Sequence, residues 1–290
     1  MMIFSDNPPI YQLPDELLLH VASYLFDPFT YTDLKNLSLV SHKFHPAAQE
    51  TIYRTLLLDL FSRIAVPRLL RTLFDRPDLA AKVKTVRIGP TRQSTVKICE
   101  AQGFPLEFVR ARSLMKLGEL GYTESHPWSR TIQNSLHSGF AGVLLTLLPA
   151  LGDLSILVAD TIGNPSSDEC VSGLFGSMVL PDLIVKRWDN LQNFSTNDMH
   201  VFKCNAPFKC LTSLNLKAVS IDTIKSLNGP GSLQGTDTLQ YLILGVPMAF
   251  MDPVTMGPLE SHLSCLFEAL NCNRLRSLCI DLSVCTPNAH

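Results

Sequence analysis

The first sixty residues alternate apolar and polar positions with a helical period. Pro14 suits a first helical turn, where its missing N–H has no partner to lose. Asp15 and Glu16 follow and place negative charge at the positive end of the helix dipole. Leu17, Leu18, Val21, Tyr24 and Leu25 then fall on one predicted face. The helix should stop near Asp27-Pro28, because a residue before proline avoids helical backbone. A second helix starts at Thr32 and carries Leu34, Leu37 and Val40. Ser41 and Pro46 interrupt the run, and a third short helix is expected over Ala47 to Tyr53.

Beyond Tyr53 the period changes. Six segments carry an apolar-x-x-apolar-x-apolar pattern or a shorter alternation: Arg54–Leu60, Val83–Ile88, Leu151–Ile156, Leu211–Leu216, Leu239–Leu244 and Leu275–Ile280. Each reads as a strand. Helical stretches precede the second (VPRLLRTLFDRPDLAAK), the third (TIQNSLHSGFAGVLLTLLPA) and the sixth (PLESHLSCLFEALNCN). The L-x-x-L-x-L core resembles the strand of a leucine-rich repeat, whose strand–helix units stack and line a concave face. The spacing is irregular: 28 residues from Leu211 to Leu239, 36 from Leu239 to Leu275, 68 from Val83 to Leu151. The tail SVCTPNAH makes a weak polar cap, so the end of such an array is expected to stay partly open. Two irregular insertions, at about 89–130 and 160–207, fall outside the repeat. The first holds a helix in PLEFVRARSLMKLGEL. The second holds Lys186, Arg187, Trp188 and Phe194, an aromatic–arginine mixture of the kind that anchors interfaces and equally the pattern of a Trp packed onto the array.

Composition narrows the function. The chain is 46% hydrophobic and 17% charged, enough apolar material for a core. A formal net charge of −2 gives no basic field for nucleic acid or an anionic membrane. The longest apolar stretch, Phe140 to Leu151, is too short to span a bilayer. The N-terminus lacks the basic and apolar regions of a secretory signal, so an intracellular, reducing compartment is expected. The eight cysteines, at 99, 170, 204, 210, 265, 272, 279 and 285, form no CxxC pair and are expected to be free thiols. Cys265, Cys272 and Cys279 recur every seven residues among Leu and Phe and read as small buried hydrophobes. His200 and His262 complete no zinc-ligand spacing, so no metal is expected. No phosphate-binding glycine loop, H-E-x-x-H or G-x-S-x-G occurs, and Gly229-Pro230-Gly231 reads as a turn. His20, His42 and His45 are expected to be exposed. The chain is expected to be neither an enzyme nor a cofactor protein.

The order LPDELLLHVASYL, DLKNLSLVSHKF and a terminal aromatic at Tyr53 resembles the F-box of fungal-type F-box proteins, over Leu13 to about Thr55. Phe44 and Tyr53 stand where many F-boxes have Trp, and FDPFTYT is a slightly long connection. The resemblance implies a three-helix F-box at 11–55 and an α+β or α/β body at 56–290, an irregular leucine-rich-repeat-like strand–helix solenoid. It implies docking on a Skp-type adaptor and, through it, a cullin scaffold. The contacts it implies are Leu13, Pro14, Glu16, Leu17, Val21, Leu25, Leu34, Leu37, Val40, Ser41 and Phe44. In this reading the chain is the substrate-recognition subunit of an E3 ubiquitin ligase; the alternative is an F-box scaffold or regulator that delivers no substrate. A protein client is expected on the body. There the strand positions Leu211, Leu214, Leu216, Leu239, Leu242 and Leu244 form core, and Thr212, Ser213, Asn215, Gln240, Tyr241 and Ile243 are exposed. Trp188 and Tyr241 are the expected anchors, since large amphipathic rings give contact area at low entropic cost.

Overall fold

The computed structural model of the protein describes residues 12–27, 31–58, 63–91, 93–157, 172–175, 182–185, 187–197, 208–217, 237–245 and 274–281. Three N-terminal helices come first: α1 (Asp15–Tyr24), α2 (Thr32–Val40) and α3 (Phe44–Arg54). α2 has the bounds its apolar spacing predicts. α3 begins earlier than expected, because Pro46 lies in its first turn, where a proline interrupts no hydrogen bond. α3 runs without a linker into β1 (Thr55–Leu58). The junction is fastened by Lys82 pairing with Glu50 at 2.9 Å and by the Lys84 N–H donating to the Arg54 carbonyl.

β1 opens a seven-stranded sheet that continues with β2 (Thr85–Ile88), β3 (Asp153–Ile156), β4 (Asn193–Thr196), β5 (Ser213–Leu216), β6 (Tyr241–Gly245) and β7 (Ser277–Asp281). All six pairings are parallel, and the strands stand side by side in chain order. The register joins Leu56, Val86, Leu154, Phe194, Leu214, Leu242 and Leu278 into one file across the sheet. A second file joins Leu58, Ile88, Ile156, Thr196, Leu216, Leu244 and Ile280. From Val86 to Leu244 the members of both files are buried. Side chains alternate across a strand, so these files mark the core face and the residues between them mark the other.

The six segments expected as strands all enter this sheet. β4 does not follow the expectation: it lies inside the 160–207 stretch read as an insertion. Its sequence, Leu191-Gln-Asn-Phe194-Ser-Thr196, keeps the six-residue pattern with Phe and Thr in the later apolar places. Buried Thr196 fills a position occupied elsewhere by Leu or Ile. β7 also departs. Leu278, Cys279 and Ile280 are exposed on the last strand, so Cys279 is not the buried hydrophobe its spacing suggested. Cys265 and Cys272, the stretch PLESHLSCLFEALNCN and Gly229-Pro230-Gly231 lie outside the described residues.

Helices cover the core face. α4 (Ala65–Asp75) and α5 (Pro77–Ala80) lie between β1 and β2 in sequence. The 89–130 stretch is largely helical: it holds α6 (Val96–Ala101), the expected α7 (Leu106–Glu119) and the start of α8 (Pro127–Gln133). These helices bury Cys99, Val109, Leu117 and Trp128 in the same core as the sheet, so the stretch is part of the body's packing. α9 (His137–Thr146) is apolar on every side and buried throughout, as such a helix must be in water. Short α10 (Ser172–Phe175) and α11 (Asp182–Val185) precede β4. Trp128 ties α8, α9 and α10 together. Its Nε1–H donates to the Gly139 carbonyl at 3.1 Å, and its ring meets Phe175 edge-on at 5.3 Å.

Candidate functional site

The three N-terminal helices enclose a small core of Leu18, Phe44 and Ala47, with Leu13, Leu19 and Leu37 packed against it. Ala22, Leu34 and Ala48 are buried as well. A three-helix unit of this size hides little surface, and it leaves apolar side chains outside. On α1, Leu17, Val21 and Tyr24 point outward at i, i+4 and i+7, Tyr24 being 78% exposed. On α2, Leu39 is 83% exposed and Val40 lies beside it.

This separates the expected contact residues. Pro14, Glu16, Leu17, Val21 and Val40 are exposed and available to a partner. Leu13, Leu25, Leu37 and Ser41 are half-buried. Ser41 is already engaged, its Oγ accepting the Phe44 N–H at 3.4 Å at the start of α3. Leu34 and Phe44 are 0% and 4% exposed. They hold the helices to one another and offer no surface, which corrects their expected place among the contacts. Tyr24 and Leu39 were missed. The signal for Leu39 was its position between Leu37 and Val40, where three apolar residues within four positions cannot all face one core.

The second candidate surface is the open face of the sheet. In register, Thr85, Asp153, Asn193, Ser213 and Tyr241 form one file, and Arg87, Ser155, Ser195, Asn215 and Ile243 the next. A depression of about 320 Å³ runs over both, lined from Arg87 on β2 to Ile243 on β6. The Asp153 carboxylate is held at both oxygens, by the Thr85 hydroxyl at 3.3 Å and by the Asn193 side-chain amide. The Arg87 side chain is exposed and its guanidinium makes no hydrogen bond or ion pair among the described residues. The Ser195 hydroxyl is buried and has no hydrogen-bond partner.

Of the two expected client anchors, Tyr241 is exposed on this face and Trp188 is not. Trp188 is 2% exposed and packs in the body's core with Leu191 and Phe194, because β4 draws the segment into the sheet. Neighbouring Arg187 donates to the Thr146 carbonyl at 3.1 Å, at the end of α9. Lys186 lies outside the described residues. The expected strand cores, Leu211, Leu214, Leu216, Leu239, Leu242 and Leu244, are all buried.

Among the described residues no cluster of His, Cys, Asp and Glu could hold a metal ion, and no helix is long and apolar enough to cross a membrane. Cys99, Cys210 and Cys279 are free thiols.

No curated protein matches the chain. A family model described as F-box-like matches residues 10–59, a span that covers α1, α2, α3 and β1. The helices, their order and this match agree: the chain carries an F-box-like domain at residues 10–59.

Proposed function

We propose that this protein is the substrate-recognition subunit of a Skp–cullin–F-box ubiquitin ligase, holding the Skp-type adaptor through α1 and α2 and a protein client through its body. The observation that carries the reading is the set of apolar side chains an F-box-like domain turns outward: Leu17, Val21, Tyr24, Leu39 and Val40. Fully covering one such side chain is worth about 1.5–3 kcal/mol, so a partner helix pair seated there gains enough for stable docking. The body is read as a leucine-rich-repeat-like solenoid. Chain-order parallel strands and repeated L-x-x-L-x-L segments support this, since each strand–helix unit then buries its apolar face on its neighbours. The function needs no chemistry from this chain. Its contribution is proximity: it raises the local concentration of a client beside an enzyme that carries ubiquitin.

The test is recovery of the tagged full chain from cells, with the co-purified proteins and their ubiquitin-modified lysines identified by mass spectrometry. Adaptor, cullin and a client whose modification falls when the chain is removed are expected. Adaptor and cullin without any such client would replace this reading with a scaffold role. Absence of the adaptor would overturn the docking itself.

A further inference from the structure

The open sheet face has a polarity that runs in one direction. At β2 stands the exposed guanidinium of Arg87; across β3, β4 and β5 follow Ser155, Ser195 and Asn215; at β6 stands Ile243, with the exposed ring of Tyr241 in the adjacent file. Arg87, Ser155, Ser195, Asn215 and Ile243 line one depression, and Tyr241 stands exposed beside its β6 end. We propose that it binds an extended segment of a protein client, with an acidic side chain on Arg87 and an apolar side chain on Ile243 and Tyr241. This rests on the reading that the body holds a client, and it specifies the chemistry of that client.

Three observations lead to this occupant. First, the Arg87 guanidinium has no partner among the described residues, while the one carboxylate in the depression, Asp153, is engaged at both oxygens by Thr85 and Asn193. A planar guanidinium left free is suited to a carboxylate, which it can hold through two parallel hydrogen bonds. Second, the Ser195 hydroxyl is buried in the lining with nothing to bond. A turn of this side chain about χ1 would bring the hydroxyl to the depression, where a main-chain group of a bound peptide supplies the missing partner. Third, the dimensions fit. Strands stand about 4.8 Å apart, so the four steps from β2 to β6 cover roughly 19 Å. An extended chain rises ~3.3 Å per residue, so the acidic and apolar side chains would lie about six residues apart.

Charge selects a carboxylate over a phosphate. Asp153 lies on the strand next to Arg87, so the lining is neutral before a ligand enters, and a carboxylate on Arg87 adds a single negative charge. A phosphate adds close to two at neutral pH and meets the greater repulsion from Asp153.

The probes are fluorescein-labelled peptides of Gly and Ser with Glu and Leu six positions apart, made in both chain directions. Matched peptides carry Ser, phosphoserine or Lys in place of Glu. Binding to the full chain, assembled with its adaptor, is read by fluorescence anisotropy. The Glu peptide is expected to bind at least tenfold more tightly than the Lys peptide. Arg87→Glu should invert that order while still co-eluting with adaptor, since Arg87 is exposed and unbonded. Ser195→Ala should weaken the Glu peptide several-fold without lowering Tm, because no hydrogen bond within the chain is lost. Equal binding of Glu and Lys peptides, or an Arg87→Glu variant with unchanged preference, would overturn the proposal. Tightest binding by the phosphoserine peptide would overturn the single-charge site. Retained adaptor with no peptide bound would overturn the proposal and leave docking intact, whereas failure of docking shows as loss of the adaptor itself.

Discussion

His137 begins α9 with its ring buried, 1% exposed. Its Nδ1 accepts the Thr91 N–H at 3.2 Å, which leaves the proton of the neutral ring on Nε2, where it has no partner. Burial first, and the charge of Arg63 second, push its pKa down to about 4. In the unfolded chain the same ring titrates near ~6.5. Between these values the unfolded state binds a proton that the folded state refuses, so stability falls as the pH falls through the window. The full loss is on the order of 3 kcal/mol by pH 4. Thermal melts between pH 7 and pH 4 should therefore decline less steeply for His137→Asn, whose side-chain oxygen can still accept from Thr91. Parallel slopes for the two proteins would show that His137 does not set the acid limb. Gly142 is the other residue with a sharp consequence. A Cβ there would stand 1.9 Å from the Leu174 carbonyl oxygen, so α9 and α10 touch through the missing side chain. Gly142→Ala forces backbone apart and should destabilise by about 1–3 kcal/mol or more, read as a lower denaturant midpoint. A midpoint at or above that of the parent protein would mean α10 does not pack as described. The residue scale was the least legible in the sequence. Trp188 beside arginine has the composition of an interface anchor and also that of a core tryptophan; only the presence of β4 decides for the core.

At the scale of elements, pattern and structure agree where one period dominates. The spacing of Leu34, Leu37 and Val40 marks α2, and the L-x-x-L-x-L segments mark six strands of the sheet. Disagreement arises where a helix carries more apolar positions than one face can hold. On α1, Leu17, Leu18, Val21, Tyr24 and Leu25 read as a single stripe, yet Leu18 turns inward and Leu17, Val21 and Tyr24 outward. Periodicity gives the angle between two side chains and not which of them meets the neighbouring helix. β4 was hidden for a related reason. Its apolar places hold Phe194 and Thr196 in place of Leu, and Leu191 lies only 20 residues before Leu211, closer than the other repeats. The helix faces also sort the substitutions. Leu34→Ala removes a side chain buried between helices and should cost about 2–5 kcal/mol of stability. Leu39→Ala removes an exposed one and should leave the denaturant midpoint within ~0.5 kcal/mol of the parent. Equal losses of stability would mean that α2 is turned differently on its neighbours.

At the scale of the molecule, two surfaces are joined by one continuous stretch of chain. α3 packs against α1 and α2 and then becomes β1 with no intervening residue, while the Lys82–Glu50 pair and the Tyr31 hydroxyl on the Thr55 carbonyl span the junction. An adaptor seated on α1 and α2 would therefore be tied to the sheet through α3 and β1, the connection through which a client on the open face would be positioned. The division into a helical domain and a strand–helix body was legible because the hydrophobic period changes at Tyr53. The contacts across the junction were not, because they join residues far apart in sequence. The most direct test of the account is titration of purified Skp-type adaptor into the full chain and into a Leu17→Ala, Leu39→Ala double variant, followed by calorimetry. The parent is expected to bind with a well-defined 1:1 stoichiometry, and the variant to bind at least tenfold more weakly, with circular dichroism and Tm unchanged, since each 1.4 kcal/mol lost is a factor of ten. Unchanged affinity in a folded double variant, or no binding by the parent chain, would contradict the central claim that these outward side chains are the adaptor dock.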